Sequence, residues 1–128
     1  MRRYFPTPQA WKPEYEKLVR LMYAWTLTGD WPRMAMVRAL QQQAIYADPV
    51  VYDWPRIKAR TLVIGGEKDG ANYPEQARRV ADTVQNGRLY IIPNIGHNPQ
   101  FEAPDRLFPA LVRFLKGEEV GTRKTTNP

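Results

Sequence analysis

Thr61-Leu62-Val63-Ile64-Gly65-Gly66-Glu67-Lys68-Asp69 is the stretch on which the organisation of the chain turns. Its first four residues form a continuous apolar run between Arg60 and a glycine pair, the pattern of a parallel strand covered on both faces. A second run, Leu89-Tyr90-Ile91-Ile92, stops at Pro93. Between them Ala77, Val80, Ala81 and Val84 recur at helical spacing behind Pro74, with Asn86-Gly87 read as the helix stop. Strand, helix and strand within about thirty residues make a βαβ unit, expected to be parallel and right-handed. A last helix from near Pro104 carries Leu107, Phe108, Leu111, Val112 and Leu115 up to Gly117. The expected fold class is α/β, with a β-α-β-α order and two parallel strands.

Polar groups in open parallel sheets gather outside the carboxyl ends of the strands. Asp69 lies five residues beyond Ile64, and His97, in Gly96-His97-Asn98-Pro99, lies five beyond Ile92. On neighbouring strands such equal placement brings the two loops together. A carboxylate that accepts from an imidazole Nδ1–H fixes the tautomer and leaves Nε2 to take a proton. Asp69 could also cap a turn, and a lone histidine is often an ordinary surface or core residue. Their shared position argues for the acid–base reading of both.

These residues resemble the α/β-hydrolase family, over roughly residues 57–116. The stretch from Ile57 to Asp69 resembles that family's penultimate strand with its acid, and Tyr73-Pro74 the start of the helix that follows. Gly96-His97, Glu102-Ala103-Pro104 and the helix ending Arg113-Phe114-Leu115 resemble its histidine loop and final helix. The resemblance implies that Asp69 is the triad acid and His97 the general base. Residues 1–56 resemble, with lower specificity, the helical cap or lid that precedes that strand. What is implied is the C-terminal part of an α/β-hydrolase fold.

The nucleophile is where the sequence departs from the family. The family order is nucleophile, acid, histidine, with the nucleophile on a small-x-nucleophile-x-small elbow. The sequence contains no serine and no cysteine. Asp30, Thr26 and Thr28 have no buried strand before them, and the flanks of Asp30 do not form an elbow. The expectation is that nucleophile, oxyanion-hole loop and first strands are not in this chain, which is therefore inactive alone. A missing neighbour for the first strand also leaves an edge open to pairing.

Towards the N-terminus, Tyr15, Leu18, Val19, Met22 and Trp25 follow the i, i+3, i+4, i+7 rule, so Pro13 to about Thr26 reads as an amphipathic helix. Gly29 ends it. Asp30 can cap a second helix, with Pro32 in its first turn and Met36, Val37, Leu40, Ala44 and Ile45 as its stripe to about Ala47. The Trp, Tyr and Met side chains of this section could line a substrate cavity, but at helical spacing they are read first as core. From Gly117 to Pro128 the sequence is polar and reads as a flexible tail. The segments expected are 1–56, cap-like, 57–116, hydrolase core portion, and 117–128, tail.

With 128 residues, 43% hydrophobic and 25% charged, the chain has the composition of one modest globular domain. No apolar run approaches the roughly 20 residues of a membrane-spanning helix. Met1-Arg2-Arg3 is not followed by the apolar segment of a signal peptide, so a cytoplasmic location is expected. The net charge of +6 is concentrated in residues 1–60, with 10 Lys/Arg against 5 Asp/Glu. Those charges are interleaved with apolar positions, which argues against a nucleic-acid interface. Glu67, Glu75 and Glu102 have no metal-ligand spacing with His97, and Gly65, Gly66 and Gly70 do not form a phosphate cradle. No metal and no cofactor are expected.

The partners expected are a small ester-like substrate, if the site is complemented, and a second copy or a complementary hydrolase chain. No nucleic acid and no membrane are expected. Two function classes lead: a hydrolase part supplying acid and histidine, and a non-enzymatic hydrolase-like protein that binds a partner or itself; a third, salt-dependent binding of nucleic acid to the basic surface, is the least expected.

Overall fold

The computed structural model describes residues 11–70 and 72–123. The readings of the first ten residues and of the last five lie outside the described residues. What is described divides into two compact units, Trp11–Asp53 and residues 54–123.

In the first unit, α1 spans Glu16–Thr26 after a 3₁₀ turn at Pro13–Tyr15, and α2 spans Trp31–Ala47. Tyr15 is buried, with its ring edge-on to Trp11 at 5.6 Å, and the Trp11 indole donates to Glu16 Oε1 at 3.1 Å. Both helices fall where the periodicity places them. Their apolar side chains do not behave as a core: neither helix contains a buried residue, and Leu21, Met22, Trp25, Met36, Leu40 and Ile45 are exposed. Apolar periodicity sets which side of a helix is suited to burial, and burial also needs a facing surface. Leu21, Ala24, Trp25 and Thr28 border an apolar hollow of about 420 Å³. Asp30 precedes α2 in a helical conformation and makes no side-chain cap, contrary to the capping expectation.

In the second unit, β1 (Arg60–Gly66) and β2 (Asn86–Ile92) pair in parallel, Arg60 opposite Asn86 and Gly66 opposite Ile92. α3 (Tyr73–Thr83) connects them, so the expected βαβ unit is present. Side chains alternate between the faces of the pair. On one face a β-carbon at Gly65 would lie 3.6 Å from Ala77 Cβ, which puts α3 directly on the sheet. On the other, Ile92, Ile95, Ala103 and Leu107 form a buried cluster with Ile64, Tyr90 and Leu111 packed around it. Ala103 and Leu107 belong to the segment and helix after β2, α4 (Pro99–Glu102) and α5 (Pro104–Leu115). Burying a side chain such as Ile92, wholly inaccessible, contributes on the order of 2 kcal/mol.

Two boundaries differ from the sequence reading. α3 ends at Thr83, because Val84 turns extended, and Asn86-Gly87 already belongs to β2. Gly87 is a close-approach residue: a β-carbon there would stand 2.0 Å from the Ala81 carbonyl oxygen. Secondly, residues 117–123 are not a loose tail. Leu89 and Thr122 exchange both backbone hydrogen bonds at 2.8 Å, and Val120 is buried.

Arg88 holds that segment. It donates to Val120 O at 2.7 Å and Gly121 O at 3.2 Å, and pairs with Glu119. Burial first, then the charges of Arg123 and Arg60, push its guanidinium downward from the ordinary arginine value. Arg60 adds bonds to Phe114 O and Glu118 O and stacks over the Phe114 ring at 4.7 Å. These are backbone-directed contacts, which an apolar-periodicity criterion does not register. The Leu89–Thr122 bridge covers part of the outer edge of β2, while no described strand pairs with the outer edge of β1.

A candidate acid–base site at the strand ends

The parallel register ends with Gly66 opposite Ile92, so the loops that leave β1 and β2 start side by side. Three backbone bonds hold the loop after β1 in place: Glu67 N–H to Ile92 O at 3.0 Å, Lys68 N–H to Ile95 O at 2.9 Å and Asp69 N–H to Gly66 O at 3.2 Å. Gly66 makes this approach possible. A β-carbon there would lie 2.1 Å from Gly96 O and 2.6 Å from Ile95 O, inside any tolerable contact.

The outcome is a pairing of the two residues singled out by sequence. His97 Nδ1 lies 2.9 Å from Asp69 Oδ2 and 3.1 Å from Oδ1. A carboxylate only accepts, so the proton between them sits on Nδ1 and the lone pair of the neutral ring on Nε2. The Asp69 side chain is 15% exposed and the His97 side chain 39%, so the acid is sheltered and the ring faces solvent. Tyr73, at the start of α3, presents its ring edge-on to the imidazole, 5.5 Å between centroids.

The histidine loop carries further polar contacts of its own. Asn94 adopts φ of 59°, a left-handed conformation that asparagine tolerates better than most residues, and its N–H donates to Glu67 Oε2 at 2.9 Å. Arg106 reaches back from α5 to Pro93 O at 2.9 Å. Glu102 accepts from Gly96 N–H at 2.9 Å and from Asn98 N–H at 3.0 Å. In the sequence Glu67 and Glu102 belong to the motifs that resemble the acid strand and the histidine loop, and neither has metal-ligand spacing with His97. The contacts of Glu102 depend on the one-turn helix Pro99–Glu102, which brings the chain back on the histidine.

The other residues considered have ordinary roles. Thr26 and Thr28 donate their hydroxyls to the Tyr23 and Trp25 carbonyls at the end of α1, at 2.6 and 2.8 Å. Among the described residues no group of three or more His, Asp or Glu is placed to hold a metal ion. No described helix is long and apolar enough to cross a membrane.

Comparisons with known proteins bear on the family of the chain. The profile of the alpha/beta hydrolase family matches residues 1–110. BpoC of Mycobacterium tuberculosis, whose name assigns it provisionally to the non-heme bromoperoxidases, is 41% identical over 59 residues, 46% of this chain and 22% of that protein. The pimeloyl-[acyl-carrier protein] methyl ester esterase of Nitrosospira multiformis is 36% identical over 56 residues, 44% of this chain and 21% of that protein. The chain thus spans about a fifth of the length of these curated relatives. Among solved structures, MGS-M2, an alpha/beta hydrolase enzyme from a Medee basin deep-sea metagenome library, matches with 35% identity and a TM-score of 0.48, over 59% of this chain and 27% of that one. By the extent of the family match, this chain belongs to the alpha/beta hydrolase family.

Proposed function

We propose that Asp69 and His97 are the acid and the base of a hydrolytic triad acting on an ester or related carbonyl bond of a small molecule. The nucleophile and oxyanion donors come from a segment or partner chain outside these residues. The observation that carries this reading is the bond from His97 Nδ1 to Asp69, made by two loops that leave the carboxyl ends of neighbouring parallel strands. An esterase among the relatives supports the ester class.

In this reading Nε2 of His97 takes the proton of the attacking hydroxyl, and the imidazolium so formed is stabilised by Asp69. The same proton then goes to the leaving alkoxide as the acyl group transfers. Water then attacks the acyl group, His97 Nε2 taking its proton and passing it to the nucleophile's oxygen as that bond breaks and the acid is released. With neither serine nor cysteine in the sequence, the attacking atom belongs to another segment.

Assay of the chain with activated esters is expected to give background rates, because nucleophile and oxyanion hole supply most of the transition-state stabilisation. Turnover in the chain that disappears with His97→Ala would put the nucleophile within these residues and contradict that part of the reading. A second reading, that the chain binds a partner or itself without catalysis, is favoured by the outer edge of β1, which no described strand covers. Light scattering after size-exclusion chromatography tests the self-association arm of this second reading: a stable monomer argues against it.

A further inference from the structure

Two backbone amides flank His97, and both end on one side chain. Gly96 N–H donates to Glu102 Oε2 at 2.9 Å and Asn98 N–H to Oε1 at 3.0 Å, so each carboxylate oxygen takes one donor. The single turn of α4 makes this possible: Phe101 and Glu102 N–H both donate to Asn98 O at 2.9 Å, and the chain doubles back on the histidine. We propose that Glu102 is the positioning residue of the site, fixing the backbone on both sides of His97 so that Nδ1 stays on Asp69. This rests on the reading of His97 as a base given above.

The histidine loop has little regular structure to hold it. On its N-terminal side Lys68 N–H fixes Ile95 O. On its C-terminal side Asn98 has φ of −120° and ψ of 67°, outside helix and strand, and Glu102 supplies the restraint there. A carboxylate suits the task because it accepts at both oxygens and its bonds to amides are charge-assisted. Glu67 makes a contact of the same kind, but to one amide, Asn94, three residues before the histidine. The tie that spans the imidazole-bearing residue is made by Glu102.

The proposal is tested by proton–nitrogen correlation NMR on the full chain, in which His97 is the single histidine and gives one set of ring signals. In the wild type the neutral ring is expected as the Nδ1–H tautomer. Glu102→Gln keeps the shape but replaces one acceptor by a donor. It is expected to give a mixture of tautomers and to speed exchange of the Gly96 and Asn98 amides by about tenfold or more. Asn86→Ala serves as the comparison, since it removes the bond from Asn86 to Lys58 O at the other end of the strands and is expected to leave the ring unchanged.

A folded Glu102→Gln chain with the wild-type ring signals and amide exchange would overturn the proposal. Should that variant not fold, the wild type decides. Scalar couplings across the hydrogen bonds from both amides to the Glu102 carboxyl carbon support it, and their absence overturns it. None of these signals depends on turnover, so they stand or fall separately from the hydrolase reading. That reading is lost if an active assembly proves indifferent to His97.

Discussion

Gly66 and Gly96 are in backbone contact: a β-carbon on the first would lie 2.1 Å from the carbonyl oxygen of the second. The last residue of β1 and the residue before the histidine therefore define the distance across which Asp69 reaches His97. Gly66→Ala is expected to cost about 2 kcal/mol by overpacking against atoms that cannot move aside cheaply. For a unit of this size that lowers the melting temperature by roughly 8–16 °C, read by circular dichroism. An alanine variant that melts with the wild type would mean that the loops are not held this closely.

The two units are expected to respond oppositely to truncation. Ile92→Ala should cost about 3 kcal/mol or more, because the side chain is wholly inaccessible and its cavity cannot collapse freely. Leu21→Ala should change stability by less than about 0.5 kcal/mol, since its side chain is already 68% exposed. Urea denaturation of both variants checks the contrast, and equal costs would contradict the exposure of α1.

Removing the Arg88 side chain is expected to release the segment after α5. Arg88→Ala withdraws both donors from the Val120 and Gly121 carbonyls, a loss of about 2 kcal/mol. The paired Glu119 is mostly exposed and adds little. Limited proteolysis should then cut within residues 117–123 well before the rest of the unit. Unchanged protection would assign the docking to the Leu89–Thr122 bridge alone.

Much of this unit is legible from side-chain type alone. Thr61 to Ile64 and Leu89 to Ile92 declare themselves as strands because continuous apolar runs need cover on both faces, and the equal spacing of Asp69 and His97 follows from the strand ends. Gly87 misleads, because the glycine is there for the close approach of Ala81 and not for a helix stop. The docking of residues 117–123 is invisible in the same way, being made by carbonyls that any residue carries. Periodicity identifies the apolar stripe of α1, whereas the apolar residues of α2 are spread round the helix; whether a stripe is covered depends on a facing surface that spacing does not contain. Glu102 was readable in principle, yet its role depends on a backbone fold-back that composition does not reveal.

Asp69→Asn is expected to leave the fold intact and to disturb the ring. The pair lies partly in solvent, so its loss should change stability by less than about 1 kcal/mol. The amide can offer a donor to Nδ1, which favours the wrong tautomer. The ring signals of His97 should therefore move while the melting temperature scarcely does. A ring unchanged in the variant would mean that Asp69 does not set the tautomer.

Whether Asp69 and His97 work as acid and base is decided in a chimera. In the Nitrosospira esterase, residues 57–116 of this chain, which carry Asp69 and His97, take the place of the corresponding residues, and ester hydrolysis is followed with and without His97→Ala. The expected result is measurable turnover that falls by about 10⁴-fold or more when the imidazole is removed. A folded chimera that hydrolyses the ester equally well without His97 would contradict the account.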